Sequence, residues 1–107
     1  MMGTTPEQAA QALTQAGVDV VGANCGQGVE SFLPICHRLR QATNLPIWLK
    51  PNAGLPELVN GTTEYRAKPE DFANHITGLV EAGAAFVGGC CGTSPDFIKE
   101  VSRRLRN

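Results

Sequence analysis

Apolar positions along the chain alternate between two periods. "VDVVGA" (18–23), "LPIWLKP" (45–51) and "AAFVGG" (84–89) are short apolar runs. Runs of this length that are rich in β-branched or aromatic residues predict buried strands. Between them the spacing turns helical. "TPEQAAQALTQAG" predicts a helix with Thr5 as N-cap, Pro6 at its first position and Gly17 closing it. In "GVESFLPICHRLRQATN" the residues Phe32, Ile35, Cys36 and Leu39 recur at three and four. Pro34 fits only an early turn, so that helix is expected to start near Phe32. "KPEDFANHITGLVEAG" predicts a helix from Pro69 to about Gly83, and "SPDFIKEVSRRLRN" another with Ser94 as N-cap and Pro95 behind it. "NAGLPELVNGTTEYRAK", with its Asn, Gly and Pro, reads as a long loop.

The order is α-β-α-β-α-β-α. It predicts an α/β fold of parallel βαβ units, three strands and four helices, with right-handed crossovers. The strands are apolar along nearly their whole length, which predicts cover on both faces. The 107 residues suffice for one small domain, 1–107.

An internal echo sharpens this pattern. "QAGVDVVGANCGQGVE" and "EAGAAFVGGCCGTSPD" align without a gap. Each runs Ala-Gly, four residues containing a Val, Gly, two residues, Cys-Gly, then a helix start. Cys25 and Cys91 therefore occupy equivalent places just past parallel strands, and Cys90 aligns with Asn24. Carboxyl ends of parallel strands carry the chemistry in such folds. Three thiols from two strands are expected on that face.

Hydrophobic residues make up 42% and charged residues 18%, with a net charge of −1. That balance offers no footprint for nucleic acid or an anionic membrane. No apolar run approaches a membrane span, and "MMGTTPEQAA" lacks the apolar core of a signal peptide. A cytoplasmic, reducing location is expected. There, four cysteines favour metal or catalysis over a disulfide framework.

Zinc takes thiolates in tetrahedral geometry, and a catalytic zinc keeps three protein ligands and one open position. Cys25, Cys90 and Cys91 supply three sulfurs. Gly22, Gly26, Gly88, Gly89 and Gly92 let the backbone turn tightly around an ion, and flanking helix N-termini favour thiolate. The alternative for the Cys-Cys pair is close packing as small hydrophobes. Cys36 lies on its helix's apolar stripe and reads as core. His37 and His75 lack partner motifs and read as surface residues. Trp48 reads as packing, and Asp19 and Lys50 as salt-bridging residues. Asn24 and Asn52 follow strands on the functional side, where either a turn role or a substrate contact fits.

"GANCG", "PNAGLP" and "GGCCGT", each after a strand, resemble the homocysteine S-methyltransferase family. The resemblance runs from about Gly17 to Leu105. "PNAGLP" is nearer the homocysteine-binding module of cobalamin-dependent methionine synthases and their relatives than the betaine-using branch. The resemblance implies the last part of a (β/α)8 barrel. It also implies Zn2+ on Cys25, Cys90 and Cys91, and homocysteine bound through its sulfur, with Asn24, Asn52 and Gly89 as candidate substrate contacts. The implied reaction is zinc-dependent methyl transfer to homocysteine, giving methionine. By the same resemblance the chain is a partial domain, expected to be inactive alone. Its raw sheet edges and uncovered apolar face would take another copy or a complementing barrel segment as partner. The methyl donor is not specified. Two alternatives are a non-enzymatic zinc- or thiol-binding module and a redox protein using the vicinal cysteines.

Overall fold

Thr5 starts the first helix as its spacing predicts. In the computed structural model, α1 spans Pro6–Gln15, the Thr5 hydroxyl accepts the Gln8 amide at 3.1 Å, and the Gln8 side chain accepts the Thr5 amide at 3.0 Å. This reciprocal cap satisfies two donors that a helix start leaves unpaired. The structure describes residues 4–25, 28–54, 56–65 and 67–106; the side chains of Cys25 and Pro56 fall outside that description, as does Gly26.

Three parallel strands follow the expected runs: β1 (Val21–Cys25), β2 (Ile47–Pro51) and, after an interposed hairpin, β5 (Phe86–Val87). β2 lies in the middle of the sheet, between β1 and β5. The register runs from Val21 beside Ile47 to Cys25 beside Pro51, and Leu49 lies beside Val87. A 3-10 turn (Val29–Ser31) leads into α2 (Phe32–Ala42), so the helix begins at Phe32 and Pro34 falls in its first turn, where no amide donor is needed. The remaining helices are α3 (Pro69–Glu81) and α4 (Pro95–Leu105).

The core lies on one side of the sheet. Val21, Ile47 and Leu49 are buried with Phe32, Cys36 and Leu39 of α2 and Phe72, Ile76 and Leu79 of α3. Phe97 of α4 meets Phe72 edge-on, with ring centroids 5.4 Å apart. Such aromatic pairs add about 0.5–1.5 kcal/mol beyond area burial.

The other face corrects the expectation of two-sided cover. Val20 is 37% exposed, Trp48 47% and Phe86 50%. The run "LPIWLKP" is apolar on both sides, but its residues alternate between helix cover and an open face. Trp48 is therefore a surface ring, not packing: it lies 6.0 Å from Phe86, and Lys50 Nζ sits 5.1 Å over it. Lys50 makes a cation–π contact where a salt bridge was expected.

The predicted long loop is also structured. β3 (Pro56–Val59) and β4 (Thr62–Tyr65) form an antiparallel hairpin. Its two-residue turn is Asn60-Gly61, with φ of 52° and 79°. Asn-Gly adopts these left-handed angles readily, and their twist matches the flanking strands.

Candidate metal and thiol site

The carboxyl edge of the sheet gathers the cysteine positions around Pro51. Cys25 ends β1 directly beside Pro51. On the other side the Cys90 amide donates to the Pro51 carbonyl at 3.0 Å. Val87 is level with Leu49 and hence with Ala23, so β5 is displaced by two residues relative to the echo, which aligns Val87 with Val21. An even displacement preserves which face each residue takes. It leaves Gly89 at the level of Cys25, with Cys90 next along the chain.

Local hydrogen bonds fix the turn that carries Cys90 and Cys91. The Asn52 Oδ1 accepts the Cys91 amide at 2.9 Å, and the Ala53 amide donates to the Cys91 carbonyl at 2.9 Å. Thr93 donates both its amide (3.1 Å) and its hydroxyl (2.6 Å) to the Cys90 carbonyl. The turn runs directly into α4, so the positive end of that helix follows the thiols. Gly89 is packed closely by Thr93: a Cβ there would meet Oγ1 at 2.5 Å.

Cys36, Cys90 and Cys91 are thiols. Cys91 is exposed and Cys90 half-buried. Cys36 is fully buried on α2, with Sγ 3.8 Å from the Leu79 carbonyl, and burial pushes its pKa up. It belongs to the core, as its helical stripe predicts. His37 and His75 are both exposed on their helices.

Zinc is the metal that the donor set suits. Cys25 and Cys90 stand along the backbone at one edge of the sheet, on two different strand ends, and soft thiolates favour zinc over hard cations. Among the described side chains, which do not include that of Cys25, no three His, Cys, Asp or Glu form a cluster able to hold a metal ion.

Asn52 is buried and is committed through Oδ1 to the Cys91 turn. Asn24 lies on the open face, where it lines a shallow groove of about 330 Å³ with Gly22, Trp48 and Lys50. Two contributors escape the sequence reading, Thr93 and Tyr65. Thr93 was visible within "GGCCGT", where a hydroxyl after a glycine turn can cap a carbonyl. Tyr65 carries no local signal of its own; the Asn60-Gly61 turn is the sequence feature that marks its hairpin.

The family model for homocysteine S-methyltransferase matches residues 1–105. Methionine synthase of Mycobacterium leprae (strain TN) is 37% identical over 103 residues, 95% of this chain and 8% of that protein. Methionine synthase of Mycobacterium tuberculosis (strain ATCC 25618 / H37Rv) is 35% identical over an alignment of 108 positions, 100% of this chain and 9% of that protein. The chain thus spans less than a tenth of the length of these relatives. The match to the family model over nearly every residue, through the strand ends that carry the cysteines, makes the chain a member of the homocysteine S-methyltransferase family.

Proposed function

We propose that this chain carries the zinc-binding thiols of a methyltransferase that acts on homocysteine, with methionine as product. Membership in the family and the methionine synthase relatives support the reaction class. The observation that carries the reading is the placement of Cys25 and Cys90 on either side of Pro51, with Cys91 next in a clamped turn. Cys25, Cys90 and Cys91 would hold the ion. When bound, zinc supplies a lowered pKa to a substrate thiol at neutral pH. The substrate sulfur then forms a bond to the methyl carbon as the donor's bond to it breaks, the donor keeping the electron pair. No general base is required from this segment once the thiol proton has gone to solvent.

In this reading the fold is the last part of a (β/α)8 barrel. Three parallel strands with helices on one face suit a barrel wall, whose inner face would be the side bearing Trp48 and Phe86. The helix–strand order predisposes the carboxyl edge to chemistry, and Asn24 and Gly89 stand at or near it as candidate substrate contacts. Asn52 contributes by holding Cys91.

A non-enzymatic zinc- or thiol-binding role is the second reading. The open, shallow groove on the sheet favours it, because catalysis also needs donor and acceptor held in near-attack geometry. X-ray absorption at the zinc edge, with and without L-homocysteine, tests the first reading. Zinc should be surrounded by sulfur and should gain a further sulfur neighbour on adding homocysteine. An unchanged sulfur shell would leave zinc binding without the substrate role.

A further inference from the structure

The hairpin that the sequence pattern hides reaches the thiol turn through Tyr65. Leu58 and Val59 of β3 are exposed, as are Thr62, Thr63 and Glu64 of β4. Among the described hydrophobic side chains of the hairpin, Tyr65 is the one that packs on the core. Its ring covers Gly92, the residue after Cys91. A Cβ on Gly92 would meet ring atoms Cδ1 and Cγ at 2.5 Å and Cδ2 at 2.8 Å. Gly92 also has φ of +82°, which L side chains rarely adopt. The turn is therefore shaped for a glycine twice over, by its backbone angle and by the ring laid against it.

The segment before Tyr65 grips the same turn. Asn52 accepts the Cys91 amide and the Ala53 amide donates to the Cys91 carbonyl. Asn52, Ala53 and Tyr65 thus contact the Cys91-Gly92 unit by two hydrogen bonds and an aromatic ring. Cys90 is tied to the sheet directly, through the Pro51 carbonyl. Nothing in the sheet register reaches Cys91, which lies beyond the last strand pair.

We propose that Tyr65 is a positioning residue for Cys91: its ring seats Gly92 and so fixes the direction in which the Cys91 thiol leaves the turn. Rotation about the Gly92 backbone, which glycine permits at little cost, is blocked by the ring. The hairpin is then part of the thiol site, although it contributes no donor. The inference rests on the zinc reading only for its effect on metal affinity; the seating of the turn stands apart from it.

The test compares wild type, Tyr65→Ala, Tyr65→Phe and, as a control elsewhere on the hairpin, Leu58→Ala. Three readouts are used on the full chain: hydrogen exchange of the Cys91 and Thr93 amides, zinc affinity by chelator competition, and the thiolate absorption of the cobalt-loaded protein. Tyr65→Ala should speed exchange at both amides and weaken zinc by about tenfold or more, the scale set by loss of an outer-shell partner. Tyr65→Phe keeps the ring and should match wild type, as should Leu58→Ala. Cobalt in place of zinc should show an altered thiolate absorption in Tyr65→Ala alone. If Tyr65→Ala unfolds, Tyr65→Leu, which keeps apolar bulk without a planar ring, carries the same comparison. Wild-type exchange rates in the Tyr65 variant would overturn the proposal. Fast exchange in the variant, with no zinc bound by wild type, would uphold the seating and reject the zinc reading.

Discussion

The side-chain oxygen of Asn52 accepts the amide hydrogen of Cys91 at 2.9 Å, tying the residue after β2 to the turn that follows β5. Asn52 is buried and Cys91 exposed, so this bond is partly sheltered from water. Removing the acceptor orphans a donor at the thiol turn. Asn52→Ala is predicted to lower unfolding free energy by about 0.5–1.5 kcal/mol, the net contribution of an ordinary hydrogen bond. Urea denaturation measures it. A change near zero would mean that water or another acceptor replaces the amide oxygen.

Glycines at two positions should respond in opposite directions to the same change. A Cβ on Gly22 would overlap the Trp48 carbonyl oxygen, a backbone atom that moves only if β1 leaves β2. Gly78, inside α3, has nothing within 4 Å of the same added atom. Gly22→Ala is predicted to disrupt the sheet edge and lower the melting temperature sharply. Gly78→Ala is predicted to stabilise by roughly 0.5–1 kcal/mol through helix propensity. Thermal melts of the pair decide both signs.

Thiol reactivity should separate Cys36 from Cys91. Cys36 is fully buried and its pKa is raised by desolvation, so little thiolate forms at neutral pH. Cys91 is exposed in its turn. In metal-free protein, a chromogenic disulfide reagent should modify Cys91 rapidly and Cys36 only on unfolding. Mass mapping of the modified peptides checks the order. Rapid labelling of Cys36 in folded protein would contradict its place in the core.

Acid should weaken the contacts made by α4. Glu100 is held at about 2, against an ordinary 4.5, chiefly by the Arg103 hydrogen bond, with Arg104 adding to it and desolvation opposing. Glu7 is also lowered, chiefly by its hydrogen bond with Arg38. A carboxylate with a depressed folded-state pKa stabilises above its unfolded value and loses that contribution as pH falls towards the folded one. The Glu100 contribution is therefore complete above about pH 4.5 and is lost as pH drops towards 2. Glu100→Gln should flatten this part of the stability–pH curve. An unchanged slope would assign the acid sensitivity elsewhere.

The helices and the parallel sheet were legible because period and caps agree. Thr5, Pro6, Pro69 and Pro95 mark helix starts that the structure keeps. The hairpin was not, because "PELV" and "TTEY" alternate too weakly to read as strands, although Asn60-Gly61 carried the signal. The open sheet face was illegible for another reason. Hydrophobicity alone does not tell a ring covered by a helix from one facing outward, and Trp48 and Phe86 are of the second kind. At the candidate site, the cysteine spacing anticipated that Cys25 and Cys90 stand at the carboxyl edge of the sheet. The ties through Asn52 and Tyr65 join residues far apart in the chain and depend on loop paths that no local pattern encodes.

Zinc content after dialysis, measured for wild type and for Cys25→Ser, Cys36→Ser, Cys90→Ser and Cys91→Ser, tests the central claim most directly. A serine hydroxyl is a poor substitute for thiolate at zinc. The account predicts one zinc per chain in wild type and in Cys36→Ser, and sharply reduced zinc in each of the other three. Zinc-free wild type, or full zinc retention in any of Cys25→Ser, Cys90→Ser and Cys91→Ser, would contradict it.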